Sequence, residues 1–377
     1  MKQQKKVRKS NFELLRIIAM IMIIMFHSVI ETVTTSKGAF LAVNTEAVGA
    51  MRFIMDFFGN GGVTLFAMIS GYFLITAKEQ KNFFKKASDA GLKFAGLAVF
   101  NGVVVTAVFA LLLAILNKLH FINIGAVLPA NIFTDAASFF GFAGGYWYLS
   151  AYFILLVFLT PLNKFLNRFE TKESFFSLIV VVVFVSTILN YVPIFSVRDD
   201  VNFPLVFIGY ILGAFARKYS PLQNFSTFKI IGMIALFPIY FVVTFEFLVR
   251  VLHVAARDAN PAVGYYVGFP VYIFAFLVFS LFMRLDFTNR FVNKIAPATV
   301  FVYIFHTATP YGLFYNVAHR LYARIAESVG AESPLLIMAL PLVVLVYAVV
   351  VLFVGTVLYF IYEAAIFKVK EKFLKNL

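Results

Sequence analysis

The chain of 377 residues has length enough for two ordinary soluble domains, but 62% of it is hydrophobic and 13% charged. Soluble domains carry about a quarter charged residues, and the mean hydropathy here is +0.90, so most of the chain faces lipid or itself. The 32 Lys and Arg against 18 Asp and Glu leave a net +14, yet these cations sit in short clusters between apolar runs, the pattern of a topology signal and not of nucleic-acid binding.

Apolar runs of about 20 residues suffice to cross a bilayer as helices. Ten follow one another, near 12–31, 53–76, 93–116, 147–163, 175–192, 203–219, 228–250, 264–283, 297–317 and 335–366. Because they are continuous rather than alternating, they select helices over a barrel. The expected class is an all-α integral membrane protein, a bundle of about ten transmembrane helices in one domain over residues 1–377. The first run follows MKQQKKVRK, as a signal peptide would, but no small-residue cleavage site follows Ile30, where the chain reads Glu31-Thr32-Val33. It reads as an uncleaved first span.

Positive charge alternates from loop to loop. It precedes the first run at Lys2, Lys5, Lys6, Arg8 and Lys9, and follows the second at Lys78, Lys81, Lys85, Lys86 and Lys93. It returns at Lys164, Arg168 and Lys172, at Arg217, Lys218 and Lys229, at Arg284, Arg290 and Lys294, and in the tail from Lys368. The positive-inside rule then predicts a multi-pass protein of the cell (plasma) membrane with both termini cytoplasmic. The longest outer loops, near 32–52 and 117–146, are rich in glycine.

The first run, NFELLRIIAMIMIIMFHSVI, holds two residues that a membrane excludes unless they serve a purpose. Arg16 and His27 are eleven positions apart, which is about 20° off three full helical turns and about 16 Å along the axis. They share a face, with Arg16 near the cytoplasmic boundary and His27 in the outer half. Glu13, three residues before Arg16, shares that face and is its expected ion partner. Arg16 either snorkels to the interface or has a function; His27 either bonds a neighbouring helix or serves as a proton acceptor for a hydroxyl, as intramembrane ionisable groups are functional candidates.

Further along, Asp56 and Asn60 lie near the outer end of the second run, at a depth like that of His27, where they could line the same cavity. The neighbouring Gly59, Gly61 and Gly62, and the Ser70-Gly71-Tyr72 step, read as close helix packing. Trp147 and Tyr148 read as interfacial aromatics, and Glu246 with Arg250 as a structural i,i+4 pair. His306, beside Tyr303 in VFVYIFHTATPYGLF, is open between core packing and function. No GxxxxGK[ST], HExxH, GxSxG or GxGxxG motif occurs, and no metal site is expected. With no Cys in the chain, disulfides, Fe–S clusters and an acyl-cysteine intermediate drop out. Any chemistry rests on a few polar residues inside a helical bundle.

These residues in this order resemble acyltransferase family 3, multi-spanning transferases that modify bacterial surface glycans. The match runs over essentially the whole chain. Its most specific element is an Arg, ten residues and a His in the first helix, met by Arg16 and His27. VTLFAMISGYFLI resembles the second-helix pattern that ends in Ser-Gly-Tyr, here with Ser70, and GGYWYLSAYFILLVFLTPL the Trp-Tyr-Leu segment, with Trp147 and Tyr148. FPLVFIGYILGAF is similar to a later Gly-Tyr-x-x-Gly helix, and VYIFHTATPYGLF to a ninth-helix Tyr-x-x-His element with Tyr303 and His306. Many members carry an Arg-rich stretch after the second helix; here it reads Asn82-Phe83-Phe84-Lys85-Lys86-Ala87-Ser88, with lysines in place of arginines.

The resemblance implies an acetyl or other short acyl group passed from cytoplasmic acetyl-CoA, or another acyl-CoA, to a hydroxyl of a cell-surface glycan or lipid-linked sugar. No permanently bound cofactor is implied. Arg16 would meet the phosphates or pantetheine of the donor, and His27 would serve as general base or carry the acyl group briefly. Glu13, Asp56, Asn60, Ser70, Lys85, Lys86, Trp147, Tyr148, Tyr303 and His306 are further candidates for donor or acceptor contacts. Some members add an extracellular esterase-like domain, which is not expected here, so a single-step transfer or a separate partner enzyme is implied. Ten spans around a polar interior also suit a transporter or flippase of a lipid-linked sugar, although the acidic residues lie mostly at span ends, and a non-catalytic scaffold is a third reading.

Overall fold

The computed structural model describes residues 9–33, 45–76, 85–118, 147–191, 203–254, 268–306, 311–330 and 333–375, and among these no strand occurs. Helix α1 (Ser10–Val33) is followed by α2 (Thr45–Leu74) and by α3 (Lys85–Val99), which runs through a π-helical turn, Phe100–Val105, into α4 (Thr106–Lys118). Then come α5 (Trp147–Val157), α6 (Leu159–Asn167), α7 (Lys172–Tyr191), α8 (Phe203–Tyr219), α9 (Thr227–Ile234) and α10 (Phe237–Glu246). The rest is α11 (Phe269–Met283), α12 (Arg290–Ile295), a 3-10 turn Ala296–Ala298, α13 (Thr299–His306), α14 (Tyr311–Val329) and α15 (Leu335–Lys375).

Five stretches among the described residues are long and apolar enough to cross a membrane: Ser10–Val29, Val48–Leu74, Ala87–Phe109, Thr227–Val251 and Met338–Ile366. A sixth joins them if α5 and α6 count as one span. The short run expected near 147–163 bends by 64° between α5 and α6. Phe158, between the two helices, takes φ −88° and ψ 7°, and Pro161 in the next turn has no N–H for the carbonyl four residues back. Helices α8 and α11, of 17 and 15 residues, rise about 25 and 22 Å, less than the roughly 30 Å of a hydrocarbon core. Of the expected ninth run, α13 carries the first part, residues 307–310 lie outside the described residues, and α14 follows. Most of the loops near 32–52 and 117–146 also lie outside them.

The surface is apolar and polar groups are inside. Phe176, Val180, Val181 and Phe184 on α7, and Met338, Leu342, Val346 and Phe353 on α15, are exposed, whereas Asp56, Asn60, Thr64, Asn101, Asn163 and His306 are buried. That inversion suits a bilayer, where outward carbon costs nothing and an inward polar group needs a partner. The chain is an all-helical membrane protein.

Helix α2 is the spine, packed on α1 and α8. Between apolar helices in lipid the gain comes from close approach, which small residues allow. A side chain at Gly71 would strike the Tyr210 backbone and one at Gly213 the Met68 carbonyl. On the other face, a Cβ at Gly62 would stand 2.7 Å from the Ala19 carbonyl oxygen, and one at Gly59 would overlap Phe26. The last two contacts, with Phe12 and Tyr72 rings 4.9 Å apart at the opposite end, make α1 and α2 antiparallel. Elsewhere phenylalanine fills the gaps: Phe57 meets Phe241 at 4.9 Å and Phe274 at 5.3 Å in edge contacts, the geometry that aromatic quadrupoles favour.

Candidate active site

One stripe of α1 organises the site. Glu13, Arg16, Met20, Ile23 and His27 recur at helical spacing, and α1 is unbroken from Ser10 to Val33, so all five share a face. At its start, Nη1 of Arg16 donates to both carboxylate oxygens of Glu13, at 2.9 and 3.1 Å. Glu13 is buried and Arg16 is 31% exposed, so the acid fixes the guanidinium beside an open space that Arg16 also lines.

That space is a cavity of about 270 Å³. Arg16, Met20 and Ile23 form one wall, Phe66 and Ser70 of α2 a second, Lys93 and Phe94 of α3 a third. Tyr148, Leu149 and Tyr152 of α5, and Ala296 to Tyr303 around the start of α13, complete it. Hydroxyls crowd its inner wall: Ser70 Oγ donates to the Phe66 carbonyl at 3.2 Å and lies 3.4 Å from Tyr152 Oη. The Tyr148 and Tyr152 rings stack with their planes at 13°, and the Tyr148 backbone N–H donates to Tyr303 Oη at 3.4 Å. Hydroxyls and cations thus stand together among apolar walls, the mixed lining of a site that binds a ligand.

The lining stops at Ile23 on α1 and Tyr303 on α13, and on each helix the next residue of the stripe is a histidine. His27 and His306 rings are 5.2 Å apart, and Tyr303 stands 5.4 Å from His306. Nδ1 of His306 is 3.3 Å from the Val302 carbonyl oxygen; if it carries the proton there, that bond leaves Nε2 as the proton acceptor. The histidine pair therefore lies just beyond the inner end of the cavity whose mouth holds Arg16 and Lys93.

The other predicted residues divide. Asp56 is fully buried, its carboxylate 3.9 Å from Arg52 Nε, while Asn60 donates to the Asp56 carbonyl at 3.0 Å and Thr64 to the Asn60 carbonyl at 2.9 Å. This polar ladder within α2 passes behind Gly59, which packs on Phe26, the neighbour of His27 in sequence. Asp56 and Asn60 do not line the Arg16 cavity. Trp147 stands edge-on to Tyr148 at 6.1 Å and backs that ring without lining the cavity. Lys85 and Lys86 open α3, and their side chains lie outside the described residues. Among the described residues no cluster of metal-ligating side chains occurs.

Among the polar lining residues, Lys93, Tyr152 and Thr299 are not singled out by the sequence. Lys93 counted there only as a topology charge. Tyr152 went unremarked although its spacing of four from Tyr148 puts both on one face of α5, a signal that was available.

A family model described as an acyltransferase domain matches residues 9–360. No curated protein and no solved structure matches the chain. The matched region takes in α1 with Arg16 and His27, every helix that lines the cavity, and α13 with His306, so the chain belongs to acyltransferase family 3 and is a membrane acyltransferase.

Proposed function

We propose that this membrane O-acyltransferase takes an acetyl or other short acyl group from cytoplasmic acyl-CoA and delivers it to a hydroxyl of a surface or lipid-linked glycan. The observation that carries this reading is the α1 stripe: a cation at the mouth of a narrow cavity and a histidine at its inner end, about 16 Å apart. That span suits an extended pantetheine arm, with Arg16 held by Glu13 along it and the thioester at the histidine pair. Tyr148, Tyr303 and Ser70 supply hydroxyls for the arm's amides.

In this reading His27 accepts the proton of the acceptor hydroxyl as its oxygen attacks the thioester carbonyl. The C–S bond breaks, and the imidazolium returns the proton to the departing CoA thiolate. His306 orients the His27 ring and steadies its positive charge. Asp56 and Asn60, one helix away, hold the wall behind Phe26 or meet the acceptor from the outer side. Ten crossings, a plasma-membrane location and cytoplasmic termini complete the proposal, supported by the alternation of basic loops. Because the chain has no Cys, single cysteines at positions 9 and 168, each labelled only from the cytoplasmic face, check the topology directly.

The test of function is label transfer from [acetyl-¹⁴C]acetyl-CoA in inverted vesicles supplied with surface glycan, wild type against His27→Ala. Base-labile label in the glycan that needs His27 supports the reading; none from wild-type vesicles with intact protein overturns it.

A further inference from the structure

Charge in the cavity is unevenly committed. Arg16 is matched by buried Glu13 at 2.9 Å, so the pair presents hydrogen-bond donors with little net charge. Lys93 lines the same cavity from α3, is exposed, and forms no ion pair among the described residues. The residues around it fix the position of its backbone: Ala87, Phe94, Leu97 and Ala98 are buried, and a Cβ at Gly91 would sit 3.1 Å from the Phe153 ring. A close packing of α3 on α5 thus fixes the backbone that carries this cation at the cavity, with Asp89 one turn away on α3 but not within ion-pair distance among the described residues.

Size adds a second constraint. At about 270 Å³ the cavity falls below the roughly 300–1,000 Å³ of sites that enclose a drug-sized ligand. It has room for the slender arm of a thioester donor, and a bulky nucleotide stays outside, where Lys93 stands. By register, Lys86 comes seven residues earlier in α3, about two turns and 10 Å outward on the same helical face.

We propose that Lys93 binds a phosphate group of the acyl donor at the cavity mouth, and that Arg16, neutralised by Glu13, lies along the uncharged arm. This rests on the acyl-CoA reading above. It divides the recognition of one donor between two cations: Lys93 for the phosphoryl end, Arg16 for the amide-bearing arm. An ammonium suits this place because it meets a phosphate as a compact point charge without a fixed approach angle.

The experiment is calorimetric binding of CoA, dephospho-CoA and pantetheine to the full chain in maltoside micelles, which contain no lipid phosphate. Wild type is compared with Lys93→Ala and Lys93→Arg, and with Lys172→Ala as a control at an exposed cation on α7. Lys93→Ala is expected to weaken CoA by about tenfold or more, to flatten the salt dependence of its Kd, and to move pantetheine by less than about twofold. Lys93→Arg restores most of the affinity. Dephospho-CoA separates the ribose phosphate from the diphosphate, since loss of the Lys93 effect with that probe assigns the ribose phosphate.

Equal losses for CoA and pantetheine would make Lys93 structural and overturn the proposal, as would a Lys93→Ala variant that binds CoA like wild type. If added phosphatidylglycerol, and not CoA, loses affinity in Lys93→Ala, the phosphate belongs to a lipid headgroup and the proposal fails. Wild type that binds CoA and transfers label while Lys93 proves silent refutes this assignment alone; wild type that neither binds CoA nor transfers label refutes the donor reading as well.

Discussion

Two cavities in this molecule invite comparison. The larger, about 450 Å³, lies between α2 and α10, lined by Phe53, Phe58, Phe241 and Phe245. Its rim carries Glu46 and Glu246, and Arg250 binds both, at 2.8 and 3.3 Å. The smaller, about 270 Å³, has hydroxyls on its inner wall, a cation without an ion pair among the described residues at its mouth, and two histidines beyond its end. Size and chemistry therefore rank them in opposite orders. The larger space spends its charges on one another at an exposed rim, where such pairs contribute little, and offers only hydrocarbon within. The smaller converges groups that can bind and move protons.

The comparison breaks most sharply at His27. His27→Ala should lower label transfer to glycan by roughly 10²–10⁴-fold at normal protein level, the range for loss of a general base; a variant with more than a tenth of wild-type transfer would remove the reason for preferring the smaller cavity. Next comes Arg16→Ala, expected to raise KM for acetyl-CoA by about tenfold to a hundredfold, with Arg16→Lys recovering only part because the planar fork is lost. Glu13→Gln leaves Arg16 charged but less well held, and should cost several-fold in kcat/KM; unchanged steady-state kinetics would show that the ion pair plays no part in positioning.

Variants in the larger cavity sharpen the contrast from the other side. Phe241→Ala removes a buried ring and should lower the melting temperature through lost packing, while transfer per folded molecule stays within about twofold. A hundredfold loss there would move the site. The smallest effect is expected from Arg250→Ala. Its side chain is 58% exposed, and both the melting temperature and transfer should match wild type, measured side by side at low and at high salt.

The site was legible as far as one helix reaches. Arg16, Glu13 and His27 lie within a single α-helix, whose fixed rise and turn bring them to one face whatever surrounds it. The same rule made Tyr152 readable from Tyr148. His306 was readable as an odd residue in an apolar run, but its contact with His27, across most of the chain, was not, because helix order in space depends on which faces pack. Asp56 and Asn60 show the opposite limit. Their depth suggests a place near His27, and the bonds described for them within α2, to Arg52 and from Thr64, neither join them to that histidine nor separate them from it. The bend at Phe158 was likewise hidden, since hydropathy measures the medium around a segment and not its straightness.

By itself the sequence determined the medium, the helical class, the stripe from Arg16 to His27 and the family, because each is written in composition, in spacing within one helix or in an ordered set of motifs. Only the tertiary structure decided which residues share a cavity. It joined Ser70, Lys93, Tyr152 and Tyr303 around Arg16, set His306 against His27 and passed over the larger space beside Phe241. The physical reason is that glycine steps let α1, α2 and α8 approach to backbone contact, and that close packing, a property of pairs of helices, fixes which side chains point inward together.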